Sequence, residues 1–375
     1  MSVNRWTDEL LSGFRQKGDA PADEAVQRLF RQGQVESANV LMKDLLRNDQ
    51  LVPESMPPVL REYLHGTDDL PSWADPALIR QGEALFGRYG PQMVVALFCG
   101  ALPASYAAAQ GVQVLHLTSR LATDPHRRII ETSQMLMDVM APGGLEPGGA
   151  GIRTAQKVRL MHAAVRYLIL ESGRWNPEWG HPINQEDLAG TLSAFSYAVL
   201  LGLEKLGCTL SPQEQEAYLH CWKVVVHVMG LEDALQPVDM EECKALSDAI
   251  RRRHFRASPE GQEMTRALLQ TAAHVTPGNL FDGMAASLIR HILDDEVADL
   301  LAVPPADWTR HLIGPLRMVG ALADELGDRS PAVAKLAEVF GRKLVEGLIW
   351  VDRGPERPPF RIPHALQESW NVRSV

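Results

Sequence analysis

Cysteine is scarce in this 375-residue chain: Cys99, Cys208, Cys221 and Cys243 stand far apart, with no C-x-x-C pair and no C-x-x-C-H. Such spacing in a chain of this size reads as buried free thiols in a reducing compartment. Positive charge is also in deficit, with 37 Lys and Arg against 47 Asp and Glu. The net charge of −10 repels phosphate backbones, so no nucleic-acid partner is expected. Runs of alternating β-branched residues are absent, which excludes an extensive sheet. Residues 1–19 have no basic start, apolar run, small-residue cleavage site or twin arginine, and the expectation is a cytoplasmic protein. Residues 89–119 lack Asp, Glu, Lys and Arg, a length that raises the question of a membrane span. Pro91, Gly100, Pro103, Gln110, Gly111 and Gln113 interrupt that run, so it reads as short buried helices, with no stable membrane insertion. Nor is there an H-E-x-x-H zinc motif or a G-x-S-x-G elbow following a strand.

What remains is helical periodicity almost throughout, predicting an all-α protein. Helices are expected near 24–47, 76–88, 92–110, 112–121, 124–139, 154–171, 185–206, 212–229, 240–256, 259–271, 281–301, 306–325 and 331–350. Several starts carry caps: Thr123 before Pro125, Asn184 before Gln185-Glu186-Asp187, Ser211-Pro212 with Glu214, and Ser258-Pro259. The adjacent carboxylates Glu186 and Asp187 diverge by about 100° on a helix, which suits an N-terminal cap better than paired acid–base catalysis. The division expected is an N-terminal helical extension over 1–71, loosely attached, a main helical domain over 72–350, and an extended strap over 351–375.

The chemistry concentrates between Arg128 and Arg166. Thr132 lies on one predicted helix and His162 on the next, 30 residues on, with a glycine-rich connector over 141–151 between them. That offset suits a globin-like core, in which one helix crosses one face of a planar macrocycle and the next returns beneath it to present an imidazole. Without C-x-x-C-H, any haem is b-type. His162 shares a helical face with Val158, Val165 and Ile169, and Arg159 and Arg166 lie at i−3 and i+4, where they could meet haem propionates. On the preceding helix Arg128, Thr132, Met135 and Val139 share a face, suited to covering O2 and contacting an apolar substrate. Glu131 lies beside it, where a carboxylate could accept a proton. Surface ion pairing among Arg127, Arg128 and Glu131, and a satisfied core histidine at 162, are the bland alternatives. His220 and His227, seven apart, compete as iron ligands. The connector lacks dinucleotide-loop spacing; its glycines would let the chain turn and approach a flat ligand closely.

The run Arg128-Ile-Ile-Glu131-Thr132, the connector, Lys157-Val-Arg-Leu-Met-His162-Ala-Ala-Val-Arg166, and Gly180-His-Pro-Ile-Asn-Gln-Glu-Asp187 through Phe195-Ser196 resemble the rubber oxygenases, which include the latex clearing proteins and the farnesyl-cleaving oxygenase of mycophenolic acid biosynthesis. The resemblance spans roughly 76–304. It implies a globin-like helical core around haem b with additional peripheral helices, His162 as proximal ligand, Arg128 and Thr132 on the distal helix, and O2-dependent cleavage of isoprenoid double bonds. Latex clearing proteins carry a lysine beside that threonine; here Glu131 stands in its place. Their catalytic glutamate has no counterpart near Val112, where Gln113 is the nearest polar residue. The expectation is thus a haem-dependent oxygenase with a small hydrophobic substrate, O2 and an electron donor as partners. A haem-binding sensor or carrier, and a purely structural member without cofactor, are the readings against it. A Soret band separates the last from the others.

Overall fold

Helix-forming segments with apolar stripes, separated by capped polar turns, leave little for a sheet to be built from. Among the described residues of the computed structural model, the pairing outside helices is a single antiparallel bridge, Ala108 with Phe255. The structure describes residues 5–118, 125–275, 283–312 and 362, and of 125–130, 274–275 and 312 the backbone alone. In chain order the helices are α1 (Asp8–Arg15), α2 (Ala20–Arg31), α3 (Val35–Asp44), α4 (Pro58–Gly66) and α5 (Pro76–Ala96). After a π-helical turn at Leu97–Ala101 follow α6 (Leu102–Ala107), α7 (Val112–Thr118), α8 (Pro125–Met140) and α9 (Gly151–Glu171). Then come α10 (Gln185–Phe195), α11 (Tyr197–Lys205), α12 (Pro212–Val228), α13 (Met240–His254), α14 (Pro259–Val275), α15 (Met284–Leu293) and α16 (Asp295–Leu300). The helices expected over 306–325 and 331–350 and the strap over 351–375 lie outside the described residues, apart from a 3-10 turn at Trp308–Leu312 and Ile362.

The all-α expectation holds, with differences at helix breaks. The segment 24–47 is two helices, because the chain turns at Gly33 in the left-handed region, φ 63°. The break expected between 88 and 92 is instead a kink at Tyr89, φ −113°, which accommodates the Pro91 ring inside α5. Segment 185–206 divides at Ser196, whose hydroxyl donates to the Leu192 carbonyl at 2.6 Å. Asp294, at φ 81°, ends α15, and its carboxylate accepts from the Val297 amide to start α16. The caps at Asn184 and Ser211 are both full capping boxes, closed by Asp187 and Glu214. The uncharged run ends up inside the protein, with Met93, Ala96 and Ala107 fully buried. No helix among the described residues is long and apolar enough to cross a membrane.

Two apolar clusters organise the molecule. In the larger, α12 packs along α5, and Trp222, Tyr218, Phe86 and Leu192 meet at its centre. Trp6, Leu11 and Phe14 join it from the N-terminus, and Trp6 Nε1 donates to the Glu242 carbonyl at 3.0 Å. In the second, α2, α3 and α4 wrap Leu160, Ala163, Ala164 and Leu168 on one face of α9. The N-terminal segment is therefore built into the core, contrary to the loose attachment expected; its apolar positions were too short a pattern to show what they would meet.

A charged network ties α1, α10 and α13 together. Buried Glu186 accepts from Arg253 Nε at 2.7 Å, stands 2.9 Å from His254 Nε2, and reaches Arg15 Nη1 at 3.3 Å. Burial alone would raise its carboxyl, but the donors from His254, Arg253 and Arg15 outweigh burial and hold it below the usual range, whereas burial raises Asp187 beside it. A depressed carboxyl stabilises the fold above the usual carboxylate range and loses that contribution as pH falls through its folded value.

The α8–α9 hairpin is held by its connector. Glu83 on α5 accepts the Gly143 amide at 3.0 Å, and Asn48 donates its side-chain amide to the carbonyls of Gly144 and Glu146 at 2.9 and 2.6 Å. Gly149 closes the turn against backbone: a Cβ there would stand 2.2 Å from the Gly143 oxygen and 2.4 Å from that of Gly144. At the other side Thr154 Oγ1 donates to Asp138 Oδ2 at 2.7 Å, fixing the register of the two helices.

Two expected outcomes follow from these contacts. Glu186→Gln should lower urea-measured stability near pH 7 by about 3–5 kcal/mol, a gap that narrows as pH falls below the usual carboxylate range; a pH-independent gap contradicts the assignment. Gly149→Ala should cost about 3 kcal/mol or more, and a variant as stable as the parent would show that the connector does not constrain the hairpin.

Candidate functional site

Antiparallel packing of α8 and α9, with Asp138 opposite Thr154, determines what faces what further along. Thr132 lies six residues before Asp138 and His162 eight after Thr154. At 1.5 Å per residue they stand about 9 and 12 Å from that pin, on facing helices and at nearly the same height. The two residues singled out in the sequence are thus brought to the same end of the hairpin.

The exposure pattern marks a partly accessible strip there. Most of α9 is buried, yet Val158, Met161 and His162 are half-buried, as are Glu131, Thr132 and Ser133 on α8. Leu115, His116 and Leu117 on α7 are half-buried too. Beside His162 lies a small apolar cluster of Val114, Val165 and Ile169, with Leu117, Trp175 and Ile183 packed against it. Met135, Leu136 and Val139 on α8 are buried in the main core. Half-buried His162 thus stands next to aliphatic neighbours on one side and the Arg159 and Arg166 pairs on the other. Arg128 falls on α8, and its side chain lies outside the described residues.

The arginines flanking His162 differ from expectation. Arg159 donates through Nε and Nη2 to the two oxygens of Asp19, at 2.7 and 2.8 Å, and through Nη1 to the Val228 carbonyl at 3.1 Å. Arg166 donates through Nε to Asp23 at 2.6 Å and through Nη1 to the Ile183 carbonyl at 3.2 Å. Burial works against the Arg159 cation, but Asp19 more than offsets it and raises the guanidinium pKa. Arg159 has to release buried Asp19 before it can take a propionate, whereas Arg166 keeps one nitrogen, Nη2, without a hydrogen-bond partner. The reach across sequence to Asp19 and Asp23 left no local signal in the chain.

The competing histidines stand elsewhere. His220 and His227 flank the Trp73 ring edge-on, each with ring centroids 5.8 Å away. His220 Nε2 accepts the Asp75 amide at 2.8 Å, which helps to start α5, and His227 Nδ1 lies 2.9 Å from Asp233. Both have structural partners, and Trp73 is partly exposed.

The donor chemistry at His162 fits a porphyrin-held metal. Among the described residues no three His, Cys, Asp or Glu side chains gather into a metal site. One imidazole beside apolar side chains is a ligand set that suits a metal carried by a porphyrin.

Comparisons with known proteins bear on the family. The family model described as "ER-bound oxygenase mpaB/B'/Rubber oxygenase, catalytic domain" matches residues 86–324. A rubber oxygenase of Streptomyces sp. (strain K30) is 30% identical over 299 residues, covering 79% of this chain and 73% of that protein. A solved structure of latex clearing protein in its closed state superposes with a TM-score of 0.75 at 27% identity, covering 88% of this chain and 91% of that one. On these grounds the chain belongs to the rubber oxygenase family and is an oxygenase.

Proposed function

We propose that this protein is a haem b-dependent oxygenase that uses O2 to cleave a carbon–carbon double bond in an isoprenoid or similarly apolar substrate. The observation that carries the reading is the placement of half-buried His162 beside aliphatic neighbours, at the height of Thr132 on the facing helix. Cleavage of an alkene by O2 yields two carbonyls, each taking one oxygen atom, so no atom is left over.

His162 would hold the haem through a ring nitrogen, and the haem, when bound, supplies O2 activation. Thr132, with Arg128 from the preceding turn, orients the oxygen by hydrogen bonding in a low-dielectric site, where a fixed donor acts strongly on developing charge. Glu131 occupies the position of the lysine in latex clearing proteins and offers a proton acceptor instead of a cationic donor. Val158, Met161 and Val165 present apolar surface that excludes water and receives the hydrocarbon. Membership in a family of oxygenases favours catalysis over gas sensing or electron carriage. Four buried free thiols fit a reducing compartment, and a cytoplasmic setting belongs to this reading.

The test is spectroscopic first and chemical second. The protein supplied with haem should show a Soret band that His162→Ala loses, while Thr132→Ala keeps the band and slows cleavage of a polyisoprene or squalene-like substrate on the order of 10²-fold. With ¹⁸O₂, both product carbonyls should carry label. An unchanged band in His162→Ala would overturn the proposal.

A further inference from the structure

Arg159 and Arg166 straddle His162 on α9, one three residues before it and the other four after, so both point within about 60° of the imidazole's direction. Their partners come from the start of the chain. We propose that Asp19 and Asp23 are positioning residues, which fix the rotation of α9 about its axis and so set the direction of His162. This rests on the reading of His162 as the haem ligand.

The Asp19 carboxylate is 4% exposed and meets the Arg159 fork with two parallel hydrogen bonds. That geometry sets the plane and the distance of the pair, as a single contact would not. Asp19 Oδ2 also lies 3.9 Å from Arg166 Nη2, so one carboxylate faces both cations while Asp23 completes the second. The segment that carries them is itself fixed. Gln185 donates its side-chain amide to the Gly18 and Gly230 carbonyls at 3.0 and 2.9 Å, and its backbone amide to the Lys17 carbonyl at 3.0 Å. The His181 amide donates to the Arg15 carbonyl at 2.9 Å. The clamp is thus anchored on the N-terminus of α10, and Arg159 ties it to the end of α12 at Val228.

Gly230 gives an independent sign that the pair is built in. It takes φ 94°, and a Cβ there would stand 2.5 Å from Asp19 Oδ2 and 2.7 Å from Arg159 Nε. The turn after α12 thus leaves room where the ion pair lies. A rotation of α9 that turned His162 away would break the fork and strand a buried guanidinium.

The test needs a control that weakens α9 without touching this clamp, and the helix provides one. Arg153, also buried, pairs with Asp68 at 2.5 Å, nine residues before His162. Asp19→Asn, Asp23→Asn and Asp68→Asn are compared with the haem-loaded parent by thermal melting, by the rate of haem transfer to excess apomyoglobin, and by the iron–histidine stretching band in resonance Raman spectra. All three should melt earlier. Asp19→Asn and Asp23→Asn should lose haem about 10-fold faster or more and shift the Raman band, whereas Asp68→Asn leaves rate and band at parental values. Asp19→Glu should restore much of the retention. Half-exposed Asp23 carries the test should Asp19→Asn fail to fold. Haem loss in Asp19→Asn and Asp23→Asn no faster than in Asp68→Asn overturns the proposal. If His162→Ala retains haem, the ligand reading fails and this inference with it; if that variant loses haem while the two aspartate variants match the control, this inference alone fails.

Discussion

Three arginines on one buried helix set the terms for much of this structure. Arg153, Arg159 and Arg166 on α9 are each less than a tenth exposed. A guanidinium taken from water without a partner costs several kcal/mol, so each needs a carboxylate held in place. Asp68, Asp19 and Asp23 meet that need, and all three come from the first 70 residues. The N-terminal helices are therefore required to wrap α9 and add an apolar layer around Leu160, Ala163, Ala164 and Leu168. Burying charge in this way contributes little net stability over an apolar pairing, but it tolerates few alternative arrangements.

Such a fixed helix is a suitable mount for a ligand that has to be aimed. The same helix carries His162 on the side that the N-terminal layer leaves half-buried. The connector brings α8 back across that side, with Glu83 and Asn48 gripping the turn and Thr154 pinning the register to Asp138. Thr132 then lies at nearly the height of His162 on the neighbouring helix. Charge on the histidine helix is held in the pairs of Arg159 and Arg166 with Asp19 and Asp23, which neutralise one another on the flank of the imidazole.

Much of this was legible in the sequence. Helical periodicity and missing strand patterns indicated an all-α fold, and the Asn184 and Ser211 capping boxes marked starts that the structure keeps. The Thr132–His162 offset located the hairpin and drew the comparison with rubber oxygenases. The partners of Arg159 and Arg166 were not legible, because a guanidinium on a helix advertises a need for an anion but not its source. The expected propionates and the observed aspartates satisfy the same chemistry. Likewise the connector glycines announced a close approach without saying to what; Gly149 meets backbone of the same turn. Breaks at Ser196 and Asp294 escaped notice since neither residue is a strong helix terminator by itself; tertiary packing decides there.

A crystal structure of the haem-loaded protein is the most direct measurement. The account predicts a porphyrin between α8 and α9, its iron on a ring nitrogen of His162 and Thr132 across the opposite face. Iron on His220 or His227, or a His162 ring enclosed by Val158, Val165 and Ile169 with no tetrapyrrole beside it, would contradict the account.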